Sequence, residues 1–396
     1  MRYFYFILLC AFAWGCANDA DPEADKASFT RIYDNNKFGS VIYPIDIKQT
    51  SDGGYLILGG RKLTTSNFSG IYLLKTDALG AYVEEQELDE DLVAPIGPLM
   101  LLNDGYYFFC MTSVGLQTQL IRVNLNGTID SQVSVGNSYP AAAAQEGNNF
   151  LLLSYNNVDK QSVISVVTPA GAVQTSKAFS IGAGDAVEEP IINHFLRTGR
   201  QLPFLVGRIP GGLFYFNGFF NYTLSLSFTN LAADEPQGIL QGQQDDGGIS
   251  QAVPLDGGKF ALARFNFGDN YFLPAATINS SGISSSVDLG GNVLPELVPN
   301  AAVKILRTTI NGRQVVLYGS DTNGKQIVIL GYDEATGSLV GSKYLGFSNP
   351  YELAAILPTS DGGLAVCGRT YVAGRFGRIC LFKLSSQEVE SAFKGF

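Results

Sequence analysis

The chain has one histidine, His194, and that scarcity removes whole classes of chemistry. A metal centre built from several histidines cannot form within one chain. Ser-His-Asp catalysis would have to run through His194, and no strained nucleophile-elbow pattern accompanies it. The residue lies in Ile191-Ile192-Asn193-His194-Phe195-Leu196, which reads as an inner strand and predicts a core or hydrogen-bonded imidazole. Basic residues are also scarce. Lys and Arg total 26 against 36 Asp and Glu, a formal charge of −10, and no basic run exists that could track a nucleic acid. P-loop and Rossmann patterns are absent, so no cofactor is expected. The Asp-Gly segments lack the dense alternation of a calcium loop.

Cysteine is sparse as well. Of five, Cys10 and Cys16 lie near the N-terminus, leaving Cys110, Cys367 and Cys380. Their spacing fits no zinc or iron–sulfur pattern. Three cannot all pair within one chain. Cys367 and Cys380 fall on successive predicted strands, so a disulfide between them stands open beside the alternative of three buried thiols. Long apolar runs are lacking too. The N-terminal run from Phe4 to Cys16 is about 13 residues, and a bilayer-crossing helix needs roughly 20.

That short run follows Arg2 and ends in Ala13-Trp14-Gly15-Cys16, and the acidic stretch Asn18-Asp19-Ala20-Asp21-Pro22-Glu23-Ala24-Asp25 comes after it. The pattern resembles the signal peptide and lipobox of bacterial lipoproteins. The resemblance implies cleavage before Cys16 and attachment of diacylglycerol to its thiol, and two acyl chains anchor stably where one is marginal. An ordinary cysteine beside a simple signal cut, or a buried helix or strand, are the alternative readings. Ala17 at the next position implies the outer membrane by analogy, and the acidic residues resemble the surface-export signals of Bacteroidetes lipoproteins. Residues 1–15 are thus expected to be a signal peptide, 16–28 a lipidated flexible tether, and 29–396 a single domain.

What the chain has in plenty is glycine, at 45 residues, with 26 Phe and 19 Tyr. Short strands with glycine-rich turns suit those numbers. An internal repeat supports this. Thr50-Ser51-Asp52-Gly53-Gly54-Tyr55-Leu56-Ile57-Leu58-Gly59-Gly60-Arg61 is echoed by Thr359-Ser360-Asp361-Gly362-Gly363-Leu364-Ala365-Val366-Cys367-Gly368-Arg369. Each precedes an apolar strand that reaches a lysine, Lys75 or Lys383. Weaker copies put turns near residues 104, 147, 199, 257 and 312. Seven units of four strands predict an all-β, seven-bladed β-propeller, with Phe29–Tyr33 supplying the fourth strand of the last blade and closing the ring. Two β-sandwiches, or a ring of six or eight blades, are the alternatives. The repeat resembles propeller-like repeats of secreted and lipoprotein chains of Bacteroidetes. Ser51-Asp52-Gly53-Gly54-Tyr55 also partly resembles the Asp-box turn of sialidase-type propellers, a fold feature.

Asp52, Asp104, Asp256 and Asp361 are expected to form turns, with glycine taking the positive φ. Arg61, Arg208, Arg264 and Arg369 each read as ending the second strand of a unit. They would share one face, where they would pair with local carboxylates or bind an anion or glycan. Phe219, Phe220 and Tyr222 pack between blades or stack on a ligand. Asp185, Glu188, Glu189 and Glu352 are the acidic candidates for glycoside chemistry, which needs two carboxylates at a set separation. The leading expectation is a monomeric, non-enzymatic binding or scaffold module for glycan, peptide or protein, held at the membrane by its lipid. An extracellular polysaccharide hydrolase or lyase, and a subunit of an outer-membrane assembly, are the alternatives.

Overall fold

A computed structural model describes residues 28–34, 40–372 and 376–395. The expected signal peptide, Cys16 and the tether up to residue 27 lie outside the described residues.

Regular structure among the described residues is mostly strand. In order these are β1 (Phe29–Tyr33), β2 (Ile42–Gln49), β3 (Tyr55–Lys62), β4 (Ser69–Thr76), β5 (Tyr82–Glu87), β6 (Leu92–Leu102), β7 (Gly105–Thr112), β8 (Gln117–Val123) and β9 (Ile129–Ser138). Next come β10 (Pro140–Glu146), β11 (Asn149–Asn156), β12 (Gln161–Val167) and β13 (Val173–Ser180). A helix interrupts, α1 (Asp185–Phe195), before β14 (Leu205–Arg208), β15 (Phe214–Phe220), β16 (Thr223–Thr229) and β17 (Gly238–Gln241). Then follow β18 (Gly247–Pro254), β19 (Lys259–Asn266), β20 (Asp269–Thr277), β21 (Ile283–Ser285), β22 (Asn292–Val293), β23 (Val303–Ile310), β24 (Arg313–Asp321), β25 (Ile327–Asp333) and β26 (Leu339–Leu345). The last elements are β27 (Tyr351–Pro358), β28 (Leu364–Val372), β29 (Phe376–Leu384) and the short helix α2 (Ser386–Ala392).

Hydrogen bonding sorts these strands differently from the expected closed ring of seven four-stranded blades. Among the described residues there are six sheets, of four, five or eight strands, and no sheet closes on itself. β2 to β9 form one sheet of eight, because β4 meets β6 through the single pair Gly70 and Val93. The β14–β17 sheet gains a fifth, parallel strand, β21. β1 lies along β29, with Phe29 opposite Lys383 and Tyr33 opposite Ile379, and is the outermost strand of the last sheet.

Strands that begin each antiparallel run lie against one another, within the eight-stranded sheet as well as between sheets. β2 lies against β27 and β6, β10 against β6 and β14, and β23 against β18 and β27. Apolar side chains fill the spaces between sheets. Tyr55, Ile57 and Leu74 of the first sheet pack on Ala365, Cys367 and Leu381 of the last. The other face of that last sheet sends Val366, Cys380 and Phe382 against Leu317, Ile327 and Ile329. Strands buried on both faces read as continuous apolar runs, as β4 does. Each large apolar side chain so buried stabilises the fold by about 1.5–3 kcal/mol.

This two-faced burial settles the cysteines. Cys367 is paired in register with Leu381, and Gly368 with Cys380, so the two thiols project from opposite faces of one sheet. Cys110, Cys367 and Cys380 are all free and buried, and burial pushes each thiol pKa up.

Candidate functional site

The two ends of the sheets differ in kind. One end carries the hairpins between first and second strands. In these, Thr50 N–H donates to Gly54 O at 2.8 Å and Gly53 N–H to Thr50 O at 2.9 Å; Thr359 to Gly363 repeats both bonds at 3.0 Å. Gly53 and Gly362 both sit at φ +81°, the left-handed region glycine enters freely. Asp52 Oδ1 accepts the Gly54 N–H at 2.9 Å and the Thr50 hydroxyl at 2.5 Å. Asp361 does the same with Gly363 and Thr359, so these two aspartates build their turns, and all four turn-region aspartates hold a cation. Lys75 reaches Asp52 at 2.8 Å, Lys383 reaches Asp361 at 2.9 Å, Arg122 reaches Asp104 at 3.1 Å and Arg307 reaches Asp256 at 2.5 Å. Lys75 and Lys383 are themselves buried. The Lys75 ammonium leads the hydrogen bonds that hold the Asp52 carboxyl down at about 2.

At the opposite end lie the hairpins between second and third strands and the links to the next sheet. Backbone bonds tie them to one another: Ile181 N–H donates to Lys160 O, Tyr222 to Ile181 O, Leu224 to Gln244 O, Phe267 to Asp246 O and Asn300 to Gly268 O. The helix α1 stands at this end. Val187, Ile191 and Phe195 recur every fourth residue and sink into a cluster with Leu63, Met111, Tyr155, Phe219 and Phe265. The segment expected as an inner strand is therefore helical.

His194 is held by α1 as a structural group. Its Nδ1 accepts the Leu202 N–H at 2.9 Å, and its ring meets Phe204 edge-on at 4.7 Å. Burial lowers its pKa to about 4. Glu188 is tied to Lys160 at 2.5 Å.

The four arginines are not alike. Arg61 donates to Leu88 O at 3.0 Å and pairs with Glu87 at 3.5 Å. Arg264 is buried, donating to Gly290 O at 2.6 Å with its guanidinium 3.7 Å from the Tyr271 ring centre. Arg369 pairs with Glu352, whose other oxygen accepts the Tyr371 hydroxyl at 2.8 Å. Arg208 sits at the other end of the sheets. It closes β14, a first strand, just before the Pro210-Gly211-Gly212 hairpin, and pairs with Glu146 at 2.7 Å. Ile209 N–H to Leu213 O and Gly212 N–H to Ile209 O reproduce the Asp-Gly-Gly bonding, so the true turn here is 209–213, and Gly199 instead ends the helical segment.

The aromatic candidates separate too. Phe219 is in the core, Phe220 meets Phe179 edge-on at 6.3 Å, and Tyr222 is exposed.

Two features escaped the sequence. Asp321, at the end of β24, accepts the Leu353 N–H at 2.6 Å, and burial raises its pKa to about 7, with Glu352 adding to the rise. The second is a concavity of about 520 Å³ between α1, residues 198–202 and Asp245. Asp185, Glu189 and Asn193 line it at four-residue spacing on one helix face. Arg200 faces them, paired to Asp245 at 2.9 Å. The spacing was legible once 185–195 is read as helix. Among the described residues no group of three or more His, Cys, Asp or Glu is placed to hold a metal.

No protein-family model and no curated protein matches the chain. Among solved structures it is weakly similar to a protein of unknown function from Bacteroides caccae, with 12% identity, 85% of this chain and 91% of that one covered, and a TM-score of 0.39. The β-propeller domain of the Trilobed protease from Pyrococcus furiosus gives 8% identity, 87% and 95% coverage and a TM-score of 0.47. The WD40 domain of SCAP from fission yeast gives 9%, 91% and 91%, and 0.37. The class these observations define is a sheet-rich, all-β protein, and no activity is taken from likenesses at this level.

Proposed function

We propose that this chain is a non-enzymatic binding module of the bacterial cell envelope, a lipoprotein that receives its ligand at the end carrying α1. The observation that supports it is the concavity beside α1, where Asp185, Glu189, Asn193 and Thr198 present side chains that have no partner among the described residues. Polar groups left free in a concave surface are available to a ligand's hydrogen bonds. Of the four acids a glycosidase could draw on, Glu188 is held by Lys160 and Glu352 by Arg369 and Tyr371, while Asp185 and Glu189 stand free in the concavity, so turnover is measured alongside binding.

Titration calorimetry with soluble polysaccharides and a peptide pool tests this, followed by overnight incubation and chain-length analysis. Saturable binding with polymer length unchanged is the expected result. New reducing ends accumulating in proportion to protein would establish the hydrolase reading instead.

A further inference from the structure

The end that carries α1 also carries an unusual set of apolar tips. Val114 stands in the β7–β8 hairpin, Val158 in β11–β12, Tyr222 in β15–β16 and Phe267 in β19–β20, and Phe347 stands in the β26–β27 link. All five are between 52 and 88% exposed. Single exposed apolar residues are ordinary on a protein surface. Here four occupy the tips of equivalent hairpins in successive runs of strand, Phe347 stands in a link at the same end, and backbone bonds tie hairpins to links there. Several tips are fixed by left-handed backbone at Leu116, Lys160, Tyr222, Phe267 and Ser348, so the side chains are held outward by the turn itself.

Charge at this end is the second observation. Asp185 and Glu189 face the concavity with no cation, while the one guanidinium that lines it, Arg200, is spent on Asp245 and its backbone oxygen. The one other acid of α1, Glu188, is neutralised by Lys160. A third observation is direction. Ser28 is bonded to Ser385 and Glu388 beside the Asp361 turn, at the end of the sheets opposite these tips.

We infer that this end docks a basic, partly apolar polypeptide, its cationic side chains entering the α1 concavity and its apolar side chains meeting Val158, Tyr222 and Phe267, whose turns are bonded to residues 181 and 246 beside it. The inference rests on the binding-module reading and names the partner for that same site. An anionic bilayer surface is disfavoured by the unpaired carboxylates and the chain's net charge. Apolar anchors around a charged, complementary centre supply affinity and orientation respectively.

The test uses the full chain and a twelve-residue peptide of alternating lysine and leucine, with poly-L-lysine, a neutral β-glucan and phosphatidylcholine vesicles as comparisons. Expected is saturable binding of the lysine–leucine peptide. The affinity should fall at least tenfold in Asp185→Asn/Glu189→Gln and severalfold in Val158→Ser/Phe267→Ser, with amide-exchange protection at residues 185–200. Both double variants alter exposed side chains and should keep the wild-type unfolding transition. Equal affinity in the variants, protection confined to the Asp-Gly end, or no peptide binding would overturn the inference. β-Glucan binding without peptide binding sinks this partner assignment and leaves the binding-module reading standing, whereas binding by none of the probes and turnover of β-glucan sinks both.

Discussion

Two partly buried titratable residues make opposite demands on the fold as pH changes. His194 has an ordinary pKa of 6.5 and a folded one near 4, lowered by burial. As pH falls below 6.5 the unfolded chain takes the proton first, so stability drains away until about pH 4, where the folded state also protonates. Asp321 runs the other way. Its carboxyl is raised from 3.8 to about 7, so the contribution of its acid form is complete below pH 3.8 and is lost as pH rises through 7. The two changes overlap, and wild-type melting alone will not separate them. Asp321→Asn keeps an oxygen for the Leu353 N–H and removes the ionisation. It should melt higher than wild type at pH 8 and close to it at pH 4. Equal melting temperatures at pH 8 would show that Asp321 is ionised there at no cost.

At the scale of the element, the Asp-Gly-Gly hairpin and the third strand behind it form one unit. The turn aspartate caps its own backbone and at the same time neutralises a buried lysine one strand away. Asp52→Ala strands the Lys75 ammonium, and the cost should be about 1–2 kcal/mol, less than for a fully buried pair because Asp52 is open to water. Lys75→Met should cost less, since it removes the buried charge along with the pair. Denaturant unfolding of both variants checks this, and a larger loss in Lys75→Met would contradict the pairing as the source of stability. Much of this unit was legible: the turn and the lysine recur together in the first and last repeats. The pairing between them was not, because register decides which side chains meet, and the sequence alone does not display register. The middle of the chain misled for a definite reason. Pro210-Gly211-Gly212 makes the same hairpin bonds without an aspartate, so Gly199 took the turn's place and Arg208 was assigned to the wrong end. Ile191-Ile192 suggested a strand, while the four-residue recurrence of Val187, Ile191 and Phe195 marked the helix that builds the concavity.

For the whole molecule, the consequential fact is the polarity of its two ends. β1 starts beside Lys383 and the Asp361 turn, so residues before Ser28 join the molecule at that end. A dozen extended residues reach at most about 40 Å, and an eight-residue strand spans about 27 Å. If Cys16 carries lipid, the tether joins the domain at the Asp-Gly end, opposite α1, the concavity and the apolar tips; its reach exceeds the strand length, so attachment favours that end toward the membrane without fixing it. The sheet count was not readable from repeats alone, because a single pair, Gly70 with Val93, merges two repeats into one sheet of eight strands. The address at the N-terminus is independent of that count and can be tested separately. Cells fed radiolabelled palmitate should label the wild-type protein, and Cys16→Ala should lose the label and appear in the soluble fraction. Cys16 precedes every described strand, so the variant should unfold at the same denaturant concentration as the wild-type polypeptide. Label persisting in Cys16→Ala would refute lipidation at this thiol, and with it the argument that the α1 end is the one turned outward.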